Sequence, residues 1–214
     1  MWRDGEVPVS SQFDDPYFSL ENGLAETRHV FLDGNDLPAR LRPGFSVAEL
    51  GFGTGLNLLA LAQAAIAADA VDIAYTGFEA FPLTREEIAR ALAPFTELAG
   101  LVPGLLAGWS AEGFTTRIGP VTARMIPGDA RRTLPAWEGR ADAWFLDGFA
   151  PARNPELWEP GLLAEVGHHT APGGSFATYT AAGHVRRALA EAGFEVTRLP
   201  GFGRKRHMST GRKA

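Results

Sequence analysis

From about Phe45 onward the apolar positions of this chain switch repeatedly between two periods. Short runs rich in β-branched and aromatic residues predict strands over Phe45–Leu50, Val71–Phe78, Phe114–Ile118, Val121–Ile126, Ala143–Leu146, Ser175–Tyr179 and Phe194–Leu199, with a last short run near His207. Helical spacing predicts Leu56–Ala68, Thr84–Leu92, Gly161–His169 and His184–Ala192. Thr84 and Glu87 have the spacing of a capping box, which marks the start of the second helix. Pro172-Gly173-Gly174 is expected to stop the third helix and Gly193 to close the fourth. Ile118-Gly119-Pro120 reads as the turn of a hairpin. Strands alternating with helices imply an α/β fold, a mostly parallel sheet with helices on both faces. Residues 1–42 precede the first strand and are expected to form an N-terminal extension or cap on a single globular unit over residues 43–214.

The chain has 214 residues and is 45% hydrophobic, enough for one domain with a sizeable core. No uninterrupted apolar run is long enough to span a bilayer, and the first six residues lack the apolar core of a secretory signal, so no membrane partner and a cytoplasmic location are expected. With no cysteine there are no disulfides, thiolate nucleophiles or cysteine-held metals. Net charge is -5, but from His184 to Ala214 eight Arg or Lys face only Glu191 and Glu195. Such a basic end is either the footprint of RNA binding or a solvated surface, and charge alone does not separate the two.

The densest chemical signal is Val47-Ala48-Glu49-Leu50-Gly51-Phe52-Gly53-Thr54-Gly55-Leu56-Asn57. An apolar strand ends in an acid, alternating glycines follow, and a helix begins. Glycine lets the backbone take positive φ and approach a ligand closely. The spacing is neither the dinucleotide G-x-G-x-x-G nor a phosphate loop ending in Lys-Ser/Thr. An acid before the glycines repels phosphate and suits a cation. S-adenosylmethionine, with an ammonium, a sulfonium and no phosphate, fits these demands. In open α/β sheets ligands bind beyond the carboxyl ends of the strands. Four acids lie there: Glu49, Glu79, Asp129 and Asp147. Any one of them alone reads as a turn or capping residue. Together they outline an adenosylmethionine site, with Glu79 on the ribose hydroxyls, Asp129 on the adenine amino group, the Ala130 N–H on the ring, and Glu49 and Asp147 near the cationic amino acid end.

The chain resembles the methyltransferase domain of the MnmC family and its free-standing MnmD-type version. The resemblance runs through Pro16–Ser19, Gly23–Thr27, Val30–Asn35, Glu49–Asn57, Phe78–Leu83 and Gly128–Ala130. It is most specific at Asp142–Pro155 and Gly201–Arg206. Two positions depart from the family pattern: His207 stands where an acid is common, and Arg153 where lysine is. Both bear on RNA contacts rather than on the chemistry. The resemblance implies a Rossmann-like fold with a mostly parallel seven-stranded sheet. It implies S-adenosyl-L-methionine as methyl donor, held by Glu49, Gly51, Gly53, Thr54, Gly55, Asn57, Glu79, Ala80, Asp129, Ala130 and Asp147. The implied reaction is methylation of the primary amine of 5-aminomethyl-(2-thio)uridine at the tRNA wobble position. The partners implied are tRNA and an FAD-dependent oxidoreductase that exposes the amine, so the chain is either free-standing or one half of a bifunctional protein.

Methyl transfer to an amine is mainly a matter of positioning, and the amine must be neutral to attack. Asp147 is the expected catalytic residue, orienting the amine first and accepting its proton second. Phe149 and Trp144 are candidates for the pocket wall, although Trp144 lies within a strand and suits the core better. Phe149, Arg153, Phe202, Arg204, Lys205 and Arg206 are the expected RNA contacts, rings for stacking and cations for phosphates. Tyr17 and Phe18 either cover the cofactor or pack. His168-His169 reads as a helix end, and no metal site is expected. Two other readings stay open at this stage: a methyltransferase of a small-molecule or protein amine, and a non-catalytic adenosylmethionine-binding module. A nicotinamide-dependent dehydrogenase also places an acid after its second strand, but the glycine spacing behind Glu49 argues against it.

Overall fold

A computed structural model describes residues 1–3, 7–19 and 22–214; the expected extension over residues 1–42 therefore falls partly outside the described residues. The strands are β1 (Trp2–Arg3), β2 (Val7–Ser10), β3 (Asp15–Pro16), β4 (Ser46–Leu50), β5 (Ile73–Glu79), β6 (Phe114–Ile118), β7 (Val121–Pro127), β8 (Ala141–Leu146), β9 (Thr170–Thr178), β10 (Phe194–Pro200) and β11 (His207–Lys213). The α-helices are α1 (Gly23–Thr27), α2 (Leu56–Ala67), α3 (Arg85–Leu92), α4 (Val102–Gly108), α5 (Ala130–Thr133), α6 (Pro160–His168) and α7 (Gly183–Glu191).

Among the described residues the main sheet has eight strands, in the order β10-β11-β9-β8-β4-β5-β7-β6. β4, β5, β7, β8 and β9 pair in parallel, while β6 and the β10–β11 pair run antiparallel to their neighbours. The count is eight rather than the seven that the resemblance implies, and the eight are the segments that the periodicity predicts, with Phe114–Ile118 as an antiparallel edge strand of the hairpin at Gly119. A second difference lies at Pro172-Gly173-Gly174. These residues do not merely stop α6, which ends at His168; they lie within β9, where the register against β8 shifts between Ala141 and Ala143. Proline and glycine are tolerated in a strand at such an irregularity.

Side chains alternate across β4 with the period of two that a strand imposes. Ala48 and Leu50 face a core shared with Phe78, Trp144, Leu146 and Phe176, under α6 and α7. Val47 faces the other core, with Tyr75, Phe145 and the buried side of α2. Trp144 is fully buried and stacks on Phe78, so it belongs to the core. Thr84 caps α3 and forms the predicted reciprocal bonds with Glu87. No helix among the described residues is long and apolar enough to cross a membrane.

Candidate active site

Chain order reverses about β4. From it the sheet grows through β5 and β7 on one side and through β8 and β9 on the other. The loops leaving β4 and β8 diverge at this switch point and open a crevice, the usual ligand site of such sheets. A cavity of about 580 Å³ lies there, within the roughly 300–1,000 Å³ typical of small-molecule sites. Gly51, Gly53 and Gly55 all take positive φ, at +81°, +53° and +77°. A Cβ on Gly51 would collide with the backbone carbonyl of Asp147, so the two loops touch at a point only glycine permits.

The four acids do not share one surface. Glu79, Asp129 and Asp147 line the cavity together with Gly51, Gly53, Thr54, Asn57, Ala80 and Ala130. Glu49 and Gly55 do not. Glu49 lies on the Val47 face of β4, is fully buried and accepts the hydroxyl of Tyr75. Burial and the nearby Asp147 charge push it well above the usual carboxylate range. Its hydrogen-bonded link to the cavity lining, among the described residues, runs through Asn57. The Asn57 amide donates to Glu49 Oε1 at 2.6 Å and to Asp147 Oδ2 at 2.8 Å, and its oxygen accepts the Thr27 hydroxyl at 2.8 Å. A side-chain amide has two N–H donors, and here each neutralises the repulsion of one carboxylate. Replacing Asn57 with alanine is therefore expected to cost about 2 kcal/mol, the penalty for unpairing buried polar groups; a denaturant midpoint equal to wild type would show that the bridge is dispensable.

Asp147 also accepts the Gly148 N–H at 2.9 Å. Burial raises its carboxyl from the usual value to about 6, against the lowering effects of Asn57, Gly148 and Lys205. Glu79 accepts the N–H groups of Gly53 at 2.7 Å and Phe81 at 2.8 Å, which aims its carboxylate across the glycine loop. Asp129 caps α5 and is gripped by the Arg131 guanidinium at 2.6–3.0 Å, which holds it below its usual range. The carboxylate expected on the adenine amino group thus already carries a bidentate partner.

The N-terminal segment completes the wall. Phe13 stacks on Phe149 at 4.9 Å between ring centroids, and Tyr17 meets Phe149 edge-on at 5.0 Å. Tyr17 also lies over Gly53, and Phe18 packs against Phe95 while lining the cavity. Asp15 accepts the Ala150 N–H at 2.8 Å. Glu26, Thr27, Tyr75 and Tyr179 are site residues that the sequence reading missed. Glu26 and Thr27 lie in the Gly23–Thr27 segment that carries the resemblance, and Tyr75 stands two residues before Gly77 and four before Glu79 on the same strand, but no role was read for any of them.

The expected RNA contacts divide. Phe149, Phe202, Arg204 and Lys205 line the cavity; Arg153 and Arg206 do not. Arg153 clamps the N-terminal turn, bonding the Phe13 and Asp14 carbonyls and pairing with the Asp14 carboxylate at 2.7 Å. Phe202 sits by the His29 ring, and Arg206 is exposed. Further along the basic end, Arg212 pairs with Asp36 and Lys213 with the Gly167 carbonyl. His168 ends α6, as read, and no cluster suited to a metal ion occurs among the described residues.

The residues fit adenosylmethionine in kind. The cavity presents Glu79 held open by backbone donors, close backbone approach at the glycines, and more carboxylates than cations on its wall. Comparison with known proteins agrees. The profile of a family described as S-adenosyl-L-methionine-dependent methyltransferase matches residues 98–214. The chain is 46% identical over 99% of its length to the tRNA 5-methylaminomethyl-2-thiouridine biosynthesis bifunctional protein MnmC of Chromobacterium violaceum, and 48% identical over 96% to that of Caulobacter sp. strain K31. It spans only about a third of those relatives, 34% and 37% of their lengths. The crystal structure of MNMC2 from Aquifex aeolicus superimposes with a TM-score of 0.75 at 23% identity, covering 96% of this chain and 69% of that one. TrmN from Thermus thermophilus follows at 0.54 and 20%, covering 85% and 47%. Both likenesses concern the fold.

Proposed function

The chain belongs to the S-adenosyl-L-methionine-dependent methyltransferases, and from that premise we propose that it methylates the primary amine of 5-aminomethyl-(2-thio)uridine at the wobble position of tRNA, giving the 5-methylaminomethyl product. The observation that carries this reading is Asp147, a cavity-facing carboxylate fixed by Asn57 and Gly148 at the switch point. The role of its relatives in tRNA 5-methylaminomethyl-2-thiouridine biosynthesis supports the choice of acceptor. In this reading residues 43–214 form the methyltransferase unit and residues 1–42 its cap. The free amine comes from an FAD-dependent oxidoreductase in the same or a separate chain, and the reaction is taken to be cytoplasmic because its acceptor is tRNA.

Glu79 receives the ribose hydroxyls, its carboxylate already turned by the Gly53 and Phe81 N–H groups. Asp129, Ala130 and Ala80 border the adenine end, and Gly51, Gly53, Thr54, Gly55 and Asn57 shape the loop around the amino acid end. Glu49 acts at a distance, by holding Asn57. When bound, adenosylmethionine supplies a methyl group to an attacking lone pair and leaves as a neutral thioether. Asp147 orients the acceptor by accepting its N–H and takes the surplus proton. Phe149 and Phe202 flank the place where an extruded base would stack, and Arg204 and Arg206 lie on the exposed loop where phosphates would pass. Asp147 must be ionised for this task, so its protonation as pH drops through about 6 adds to the loss of turnover that protonation of the amine brings.

The reading is tested by expressing the chain in cells whose tRNA accumulates the 5-aminomethyl nucleoside. Conversion to the 5-methylaminomethyl nucleoside is expected on digestion of the tRNA; an unchanged nucleoside pool, with the protein present at normal levels, would count against it.

A further inference from the structure

Lys205 stands in a basic run, yet its ammonium is turned inward. Nζ pairs with Glu26 Oε1 at 2.7 Å and lies 4.1 Å from the centroid of the Tyr179 ring. Tyr179 donates its hydroxyl to the Gly148 carbonyl at 2.7 Å, on the residue next to Asp147. Glu26 is buried at the end of α1, beside the Thr27 that holds Asn57. Glu26, Tyr179, Lys205, Asn57 and Asp147 all border the same cavity. A partly exposed ion pair contributes little to stability. An ammonium fixed by a buried carboxylate and an aromatic face points to a different use, a stationary positive charge on the wall of the cavity.

We infer that Lys205 is a positioning residue whose ammonium, clamped between Glu26 and Tyr179, holds Asp147 and the acceptor amine together in their deprotonated, reactive forms. The inference rests on the amine-acceptor reading above. A nearby cation disfavours an ammonium and favours a carboxylate, so one charge acts on both partners in the productive direction. The other ionisable groups around this spot are Glu49 from β4 through Asn57, Glu26 from α1, Asp15 from β3, Glu79 at the end of β5, Tyr179 just after β9 and Arg204 beside Lys205. Most are acids, and left to themselves they would favour a protonated amine. Lys205 and Asp147 line the same cavity, and at Asp147 the attraction of Lys205 outweighs the repulsion of Glu26.

The test is the pH profile of single-turnover methyl transfer to tRNA carrying the 5-aminomethyl nucleoside, for wild type, Lys205→Met and Lys205→Arg. Amine and Asp147 titrate as a coupled pair, so the acid limb belongs to both. Lys205→Met is expected to move that limb up by about one pH unit, a roughly tenfold loss on the limb, with recovery at high pH. Lys205→Arg, which keeps the charge, should stay at the wild-type position. A Lys205→Met limb that does not move, whatever the loss in rate, overturns the inference alone. Absence of transfer by wild type would overturn the acceptor reading and this inference with it.

Discussion

Replacing Asp147 with alanine is expected to lower methyl transfer by about 10³-fold, in the range lost with a positioned acid–base group, while adenosylmethionine binding changes only a few-fold. Asp147 is held on one oxygen by the Asn57 amide and on the other by the Gly148 N–H. That leaves the rest of its acceptor capacity toward the cavity it lines. The alanine variant removes this acceptor but keeps the glycine loop and Glu79, which are the expected grip on the cofactor. It also relieves the crowding of two buried carboxylates around one amide, so the variant should fold. Rapid-quench turnover and calorimetric binding separate the two effects. Turnover within tenfold of wild type would remove Asp147 from the chemistry.

The second large effect is expected at Gly51. Its φ of +81° is unfavourable for any residue with a Cβ, and that Cβ would collide with the Asp147 carbonyl. Gly51→Ala must therefore strain the backbone, at roughly 1–3 kcal/mol, and also push the β8 loop away, carrying Asp147 with it. Loss of cofactor binding by more than about 30-fold, equivalent to some 2 kcal/mol, is the expected result. Gly44 supplies the control: its φ is +76°, with nothing within 4 Å of a Cβ. Gly44→Ala should show the conformational cost without the binding defect. Equal defects at both positions would mean that strain, not the contact between loops, governs the site.

The sheet was legible because many of its boundaries carry a local signal, whereas the short helices α1, α4 and α5 carry too little periodicity and were not expected. The glycines after β4, the Thr84–Glu87 box and the turn at Gly119 are written within a few residues and were met where expected. The orientation of Glu49 was legible in principle: two residues from Val47, it shares that face of the strand and points at Tyr75 rather than into the crevice. The engagement of Asp129 by Arg131, two residues on, was also local. The contribution of the first forty residues was not. Glu26 meets a lysine 179 positions away, and Thr27 an asparagine 30 away. A five-residue helix carries too little periodicity to announce either contact. Lys205 illustrates the same limit, since a cation in a basic run reads as a phosphate contact until the fold supplies its partner.

The most direct test of the account is transfer from methyl-labelled adenosylmethionine by the purified chain to tRNA that carries 5-aminomethyl-(2-thio)uridine, followed by nucleoside analysis. Label is expected in 5-methylaminomethyl-(2-thio)uridine, and is lost with Asp147→Ala. Intact cofactor binding without label in that nucleoside would contradict it.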